Sequence, residues 1–242
     1  MIDFFAGLSY IKSGLQLVTK PGIRLYVIVP LMINTLLFSL IIIYGAGLLN
    51  DLIDLISSRW AWLEWALLLL WPLFLLICLT IVFFCFSLMA NLLCSPFNGF
   101  LAEAVQIALS GQKAAEGSGP GRSISSEMLR AMKSEIVKLR YFLIRAVPLL
   151  LLFLIPMIQI AAPLLWFIFA SWMLCLEYLD YPMGNNGIPF AEARQILRKH
   201  RSLAVGFGTG ILLCTMIPVV NFIAIPVAVA GATQLWTERL RS

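Results

Sequence analysis

Four stretches of this 242-residue chain contain no Asp, Glu, Lys or Arg: residues 25–50, 65–102, 146–176 and 202–237, which hold 26, 38, 31 and 36 residues. A helix needs about 20 apolar residues to cross the hydrocarbon of a bilayer, so each stretch is long enough to enter lipid. Composition agrees, because 61% of the residues are apolar and 12% charged, whereas a soluble domain is nearer half and a quarter. A single water-facing core cannot hide that much apolar surface. A soluble fold is therefore ruled out, and an all-α integral membrane protein is expected.

The net charge of +5 comes without a basic stripe interleaved with exposed aromatics. Nucleic acid is therefore not an expected partner, while membrane lipids with anionic headgroups, or a small anion, are. Cys78, Cys85, Cys94, Cys175 and Cys214 all lie in apolar runs and form no CxxC pair, which reads as small buried hydrophobes. His200 is the only histidine, leaving no material for a His-based metal site or a Ser/His/Asp triad. No nucleotide loop of the Walker type is present. Neither a cofactor nor a catalytic role is expected.

Along the chain, Asp3, Lys12 and Lys20 interrupt the first 20 residues, which therefore do not read as a signal peptide. Phe4, Leu8, Ile11, Leu15 and Val18 recur at helical steps opposite Asp3, Lys12, Ser13, Gln16 and Thr19, predicting an amphipathic interfacial helix over 1–20. A spanning helix follows over 21–49, opened by Pro21 at its first position. A polar stretch carrying Trp60, Trp62 and Trp65 reads as an interfacial belt, and a second spanning helix covers 64–93. Cys94-Ser95-Pro96-Phe97-Asn98-Gly99 reads as a break. Residues 103–145 are expected to form a cytoplasmic loop, Gly/Pro-rich over 110–123, and a second amphipathic helix. In that helix Leu129, Met132, Ile136, Leu139 and Leu143 lie beneath Arg130, Lys133, Lys138 and Arg145. A further cytoplasmic loop covers 177–201.

The last two uncharged stretches are broken by Pro148, Pro156 and Pro163, and by Pro218, Asn221 and Pro226. Their halves of roughly 14–17 residues make about 21–26 Å of helix, short of the roughly 30 Å hydrocarbon. Residues 146–176 and 202–237 are thus expected as helical hairpins that penetrate partway, two proline-kinked spans being the alternative. Sixteen of the 17 basic residues, all but Arg59, then share one side. That side, with both termini, is cytoplasmic by the positive-inside rule.

Pro21-Gly22-Ile23-Arg24 is the most informative short run. Pro21 has no N–H, so the amides of Gly22, Ile23 and Arg24 stand at the positive end of the helix dipole. Glycine allows an anion to approach, and a guanidinium adds charged donors. The plainer alternative is a proline-started helix with an arginine anchored among headgroups. Gly206-Phe207-Gly208-Thr209-Gly210 lacks the strand that precedes a nucleotide loop and reads as small residues for close helix packing.

The runs SGLQLVTKPGIRLYVIVPL near the start, NLLCSPFNGFLAEAV at 91–105, YLDYPMGNNGIPFAEAR at 178–194 and IPVVNFIAIPVAVAGATQLW at 217–236 together resemble the CysZ family of bacterial inner-membrane sulfate permeases. The resemblance extends over nearly the whole chain. It implies two long transmembrane helices with two hemi-membrane hairpins, and sulfate uptake for cysteine biosynthesis. It also implies a homo-oligomer, with protomers packed antiparallel, although the charge bias favours a single orientation. The family's Pro-Gly-Leu-Arg-Arg sulfate site is matched by Gly22, Ile23 and Arg24, but Leu25 replaces the second arginine and leaves Lys20 as the nearest further base. Asn91, Pro96, Asn98 and Glu103 match the family's PFN stretch and would either line a hydrated path or supply a turn and interhelical hydrogen bonds. Asn221 would donate to a passing anion at a hairpin tip or cap a turn. Sulfite and related oxyanions are further candidate substrates. Besides a channel-like path, the sequence leaves two readings: proton-coupled symport through Glu103, Glu177 or Asp180, and a non-transporting membrane scaffold. In a background lacking the native cysteines, Ser57→Cys and Ser118→Cys are expected to react with an impermeant thiol reagent from opposite faces of the membrane. Labelling from one face would overturn this topology.

Overall fold

The structure, a computed structural model, describes residues 2–59, 69–111 and 124–241. Among them the regular elements are helical: α1 (Ile2–Val18), α2 (Leu25–Arg59), α3 (Leu70–Ser110), α4 (Ile124–Leu152), α5 (Ala162–Asn185), α6 (Phe190–Lys199), α7 (Arg201–Met216) and α8 (Pro218–Leu235), followed by a π-helical segment, Trp236–Leu240. The chain divides into two compact units, one of Met1–Val27 with Asn98–Ser242 and one of Ile28–Phe97.

In the first unit, α1 packs on α7 and α8, and α5 packs on both. Glycine makes these approaches possible. A Cβ on Gly7 would overlap the Leu203 carbonyl, one on Gly14 the Val227 carbonyl, one on Gly206 the Phe4 carbonyl, and one on Gly208 the Ser171 carbonyl. The backbones themselves are in contact, the arrangement small residues permit between helices in lipid. The run Gly206–Gly210 therefore does the packing work expected of it. Beside it, buried Thr209 donates to Ser171 Oγ at 3.1 Å and ties α7 to α5. Tyr10 donates from α1 to Glu238 Oε2 at 2.9 Å. Burial first, and that bond second, raise the Tyr10 phenol above its ordinary pKa and keep it a donor.

The glycines add to the expected face of α1. Its buried residues are Gly7, Tyr10, Gly14, Leu17 and Val18; Phe4, Leu8 and Ile11 are half-buried, Leu8 and Ile11 beside Gly210 of α7, while Leu15 is exposed. Periodicity of large apolar side chains passes over the glycines that allow the close approach. On α4 the described part of the expected apolar stripe faces away from the protein, as on a helix entering lipid, while Lys138 of its polar face turns inward. Ile136, Leu139 and Leu143 are 63%, 57% and 48% exposed, whereas Lys138 is 8% exposed. Its ammonium sits 2.6 Å from Asp180 and 3.6 Å from Glu177 on α5. Those two acids are therefore engaged by a lysine rather than simply solvated.

Several boundaries differ from expectation. α2 begins at Leu25 and continues through Asp51 and Asp54 to Arg59, whose cation suits the negative end of the helix dipole. α3 runs through Pro96 to Ser110 instead of breaking at 94–99. One proline removes one ladder bond, and neighbouring groups can compensate. The expected helix start at Glu64, the tryptophans at 60, 62 and 65, and most of the 110–123 loop lie outside the described residues.

The third uncharged stretch turns at 153–161, where Met157 is left-handed with φ 72°. The helices on either side extend beyond the uncharged stretch, α4 having 29 residues from Ile124 to Leu152 and α5 24 from Ala162 to Asn185. By length and composition α5 and α2 are the two candidate spans among the described residues. In the fourth stretch, α7 and α8 have 16 and 18 residues and meet at Ile217, with Pro218 at the helix start where its missing N–H is harmless. In the second unit, α2 and α3 meet where Gly45 faces the Phe74 ring. Leu36, Leu40, Ile43 and Tyr44 of α2 are exposed, an apolar surface that water would not tolerate. Gly208→Val is expected to destabilise the protein by at least about 2 kcal/mol through forced overpacking. Gly47→Val, where a Cβ meets nothing within 4 Å, leaves stability nearly unchanged. Thermal unfolding in detergent compares the two.

Candidate anion-binding site

The segment joining α1 to α2 is a compact turn. Lys20 N–H donates to the Leu17 carbonyl at 3.0 Å, and the amides of Ile23 and Arg24 both donate to the Lys20 carbonyl, at 3.2 and 3.1 Å. Gly22 has φ +91°, a left-handed conformation that L side chains adopt only with strain. This residue keeps Pro21 out of the helix and moves the start of α2 to Leu25. Of the three amides expected to face an anion, those of Ile23 and Arg24 therefore have partners within the turn. Gly22 N–H has no hydrogen bond among the described residues. A Cβ built on Gly22 would meet nothing within 4 Å, so its surface is open.

Ile23 anchors the turn. It is 3% exposed and packs in the same core as Leu101, Ala102 and Val105 of α3. The opposite face of α3 supplies Phe100, Glu103, Ala104, Ile107 and Ala108, which with Pro21, Gly22, Ile23 and Tyr26 line a cleft of about 470 Å³. Helical spacing explains the division, since 101, 102 and 105 share one side and 100, 103, 104, 107 and 108 the other. All of these residues belong to the first unit. The cleft offers a glycine backbone edge and one carboxylate in an otherwise apolar lining.

Among the residues singled out from sequence, Gly22, Ile23 and Glu103 come together at this cleft. Arg24 lies in the same turn with an exposed side chain that does not line it, and Lys20 is also exposed. Leu25, in the place of the family's second arginine, is 59% exposed. Asn98 is buried, and its Nδ2 donates to the Tyr181 hydroxyl at 3.3 Å, which fits the hydrogen-bonding alternative. The side chain of Asn91 lies outside the described residues. Asn221 sits one turn inside α8 rather than at the hairpin tip. Its amide donates to the Ile217 carbonyl at 2.8 Å, and it does not join the cleft.

The sequence reading missed a polar seam between α3 and α5. Asn185 Nδ2 donates to the Gly99 carbonyl at 2.8 Å, and Asn186 Nδ2 donates to Gln106 Oε1 at 2.8 Å. Gln106 is fully buried. The available signal was an amide adjoining Ala102 and Val105 on an apolar helical face, where a polar group needs a partner. The seam holds the Gly99–Gln106 part of α3, and with it the cleft wall.

Among the described residues the elements are helices, two of them long and apolar enough to span a bilayer, with a small cleft beside the start of α2, which fits a helical membrane protein. The family described as Sulfate transporter CysZ/Etoposide-induced protein 2.4 matches residues 10–226, and the chain belongs to it. A relative from Pectobacterium atrosepticum named "Sulfate transporter CysZ" is 43% identical over 239 residues, covering 98% of this chain and 86% of the relative. Proteins of the same name from Pseudomonas paraeruginosa and Salmonella typhimurium are 39% and 40% identical, covering 96% and 98% of this chain and 95% and 94% of their own lengths. Gly22→Ala is expected to destabilise the protein by about 1–2 kcal/mol, because alanine is strained at this left-handed position, and thermal unfolding in detergent reads the loss. An unchanged unfolding temperature would show that the turn tolerates a side chain.

Proposed function

We propose that this chain carries sulfate across the bacterial inner membrane into the cytoplasm, for assimilation and cysteine biosynthesis, by channel-like permeation. The observation that carries the reading is the left-handed Gly22 turn, which presents an open backbone edge and an unpartnered amide at a cleft beside the start of α2. Relatives named as sulfate transporters along nearly the full chain support the substrate. They also support transport rather than catalysis.

A backbone amide with a guanidinium from the same turn suits a doubly charged tetrahedral oxyanion, which accepts several donors at once. With Leu25 beside Arg24, one guanidinium serves the turn and exposed Lys20 is the nearest further base, so binding is weak, as rapid passage requires. Inward flow must overcome about 2.3 kcal/mol per charge for each 100 mV, twice that for sulfate. Consumption in the cytoplasm provides the gradient. We place α7 and α8 as a hairpin that penetrates partway, because their 16 and 18 residues make about 24 and 27 Å of helix. In this proposal α1 lies near the interface, both termini are cytoplasmic, and the protein assembles as a homo-oligomer.

A second reading, proton-coupled symport, is favoured by one observation. Glu103 lines the cleft with Gly22, and its protonation would replace a repelling charge with a donor. Asp180 and Glu177, the other acids considered, face Lys138. In liposomes, sulfate uptake is expected without an imposed pH gradient, and Arg24→Ala is expected to lower sulfate affinity roughly tenfold, the scale of one charged hydrogen bond. Uptake only with the gradient, abolished by Glu103→Gln, would establish coupling instead. Unchanged binding and flux in Arg24→Ala would remove Arg24 from the site.

A further inference from the structure

Away from the cleft, α4 presents Lys138, Tyr141 and Arg145 at helical spacing. Lys138 is answered by Asp180 and Glu177. Tyr141 is buried, its hydroxyl accepts from Trp172 Nε1 at 3.0 Å, and its ring meets Phe190 of α6 nearly edge-on. Two guanidinium groups share that one ring. Arg145 stacks with its guanidinium carbon 3.7 Å from the ring centroid, and Arg194 of α6 lies 5.0 Å from the same centroid. Arg145 Nη1 donates to the Tyr141 carbonyl at 3.4 Å. Arg194 Nε is buried and has no hydrogen-bond partner. Among the described residues neither arginine forms an ion pair.

Two permanent cations on one aromatic ring repel each other, and a buried guanidinium N–H without an acceptor is a costly group to leave unmatched. A tetrahedral oxyanion suits both groups, because it accepts from planar guanidinium forks and offsets their shared positive charge. The location suits such a ligand, because Arg145 is the last charged residue before the 31 uncharged residues 146–176, where a chain entering lipid passes the phosphate layer. We infer that Arg145 and Arg194, held by Tyr141, form a second oxyanion site, separate from the Gly22 turn, that takes either the phosphate of an anionic lipid headgroup or free sulfate.

The purified full-length protein carrying Arg24→Ala, with and without Arg145→Gln/Arg194→Gln, separates this site from the Gly22 turn. Binding of inorganic sulfate is followed by calorimetry in detergent, and binding of phosphatidylglycerol by native mass spectrometry. The double substitution is expected to weaken one probe at least tenfold. Loss of sulfate binding identifies the free anion as the ligand, and loss of phosphatidylglycerol identifies the lipid. Unchanged binding of both probes by a folded variant overturns the proposal. If the double variant does not fold, Arg145→Lys and Arg194→Lys decide instead. They keep the charge but lose the planar fork, so a several-fold weakening supports the site and wild-type affinity in both overturns it.

Discussion

In hydrocarbon no hydrophobic force draws one apolar helix to another, because lipid tails are as apolar as leucine. What remains is dispersion between closely fitted backbones and hydrogen bonds across the contact. The packing of α1, α5, α7 and α8 rests on the first of these. Gly7, Gly14, Gly206, Gly208 and Gly231 stand where a methyl group would strike the backbone of a neighbouring helix. That approach places Tyr10 within reach of Glu238 and Thr209 against Ser171. It also delivers the end of α1 to the turn from which α2 departs.

The second contribution appears as polar groups turned inward. Lys138 faces Asp180 and Glu177, and the amides of Asn98, Gln106, Asn185 and Asn186 meet partners across α3 and α5. Ile136, Leu139 and Leu143 point away from the protein. Such an arrangement would be inverted for a protein in water. In lipid it lowers the energy of both sets of groups, and removing one partner from a buried ion pair would leave an uncompensated charge. The candidate site depends on these contacts. The amide seam holds α3 so that one side buries Leu101, Ala102 and Val105 while the other faces Gly22, and Ile23 locks the turn into the same core.

Much of this was legible along the chain. Charge spacing marked the lipid-facing stretches, because a charged residue in hydrocarbon is expensive enough to leave a gap wherever the chain enters it. The glycine run at 206–210 announced close packing. The Pro-Gly-Ile-Arg run marked the entry to the spanning helix but was read as its first turn, whereas the left-handed Gly22 holds it outside the helix. Side-chain faces were not legible in the same way. On α1 the periodicity found Leu8, Ile11 and Val18 but passed over Gly7 and Gly14, which have no side chain to mark a contact. On α4 the apolar stripe was legible, but the burial of Lys138 on its polar face was not, because its partners Asp180 and Glu177 lie on another helix.

The sequence by itself determined the solvent, the helical class and the family, all of which follow from local composition and from short runs of residues. Only the tertiary structure decided that Ile23 and Arg24 spend their amides on the Lys20 carbonyl, that Glu103 shares a cleft with Gly22 while Asn221 stands apart, and that Arg145 and Arg194 converge on Tyr141. These pairings join residues up to about 80 positions apart. Their partners are chosen by which helix backbones can approach, a property of the assembled glycine contacts rather than of any one segment.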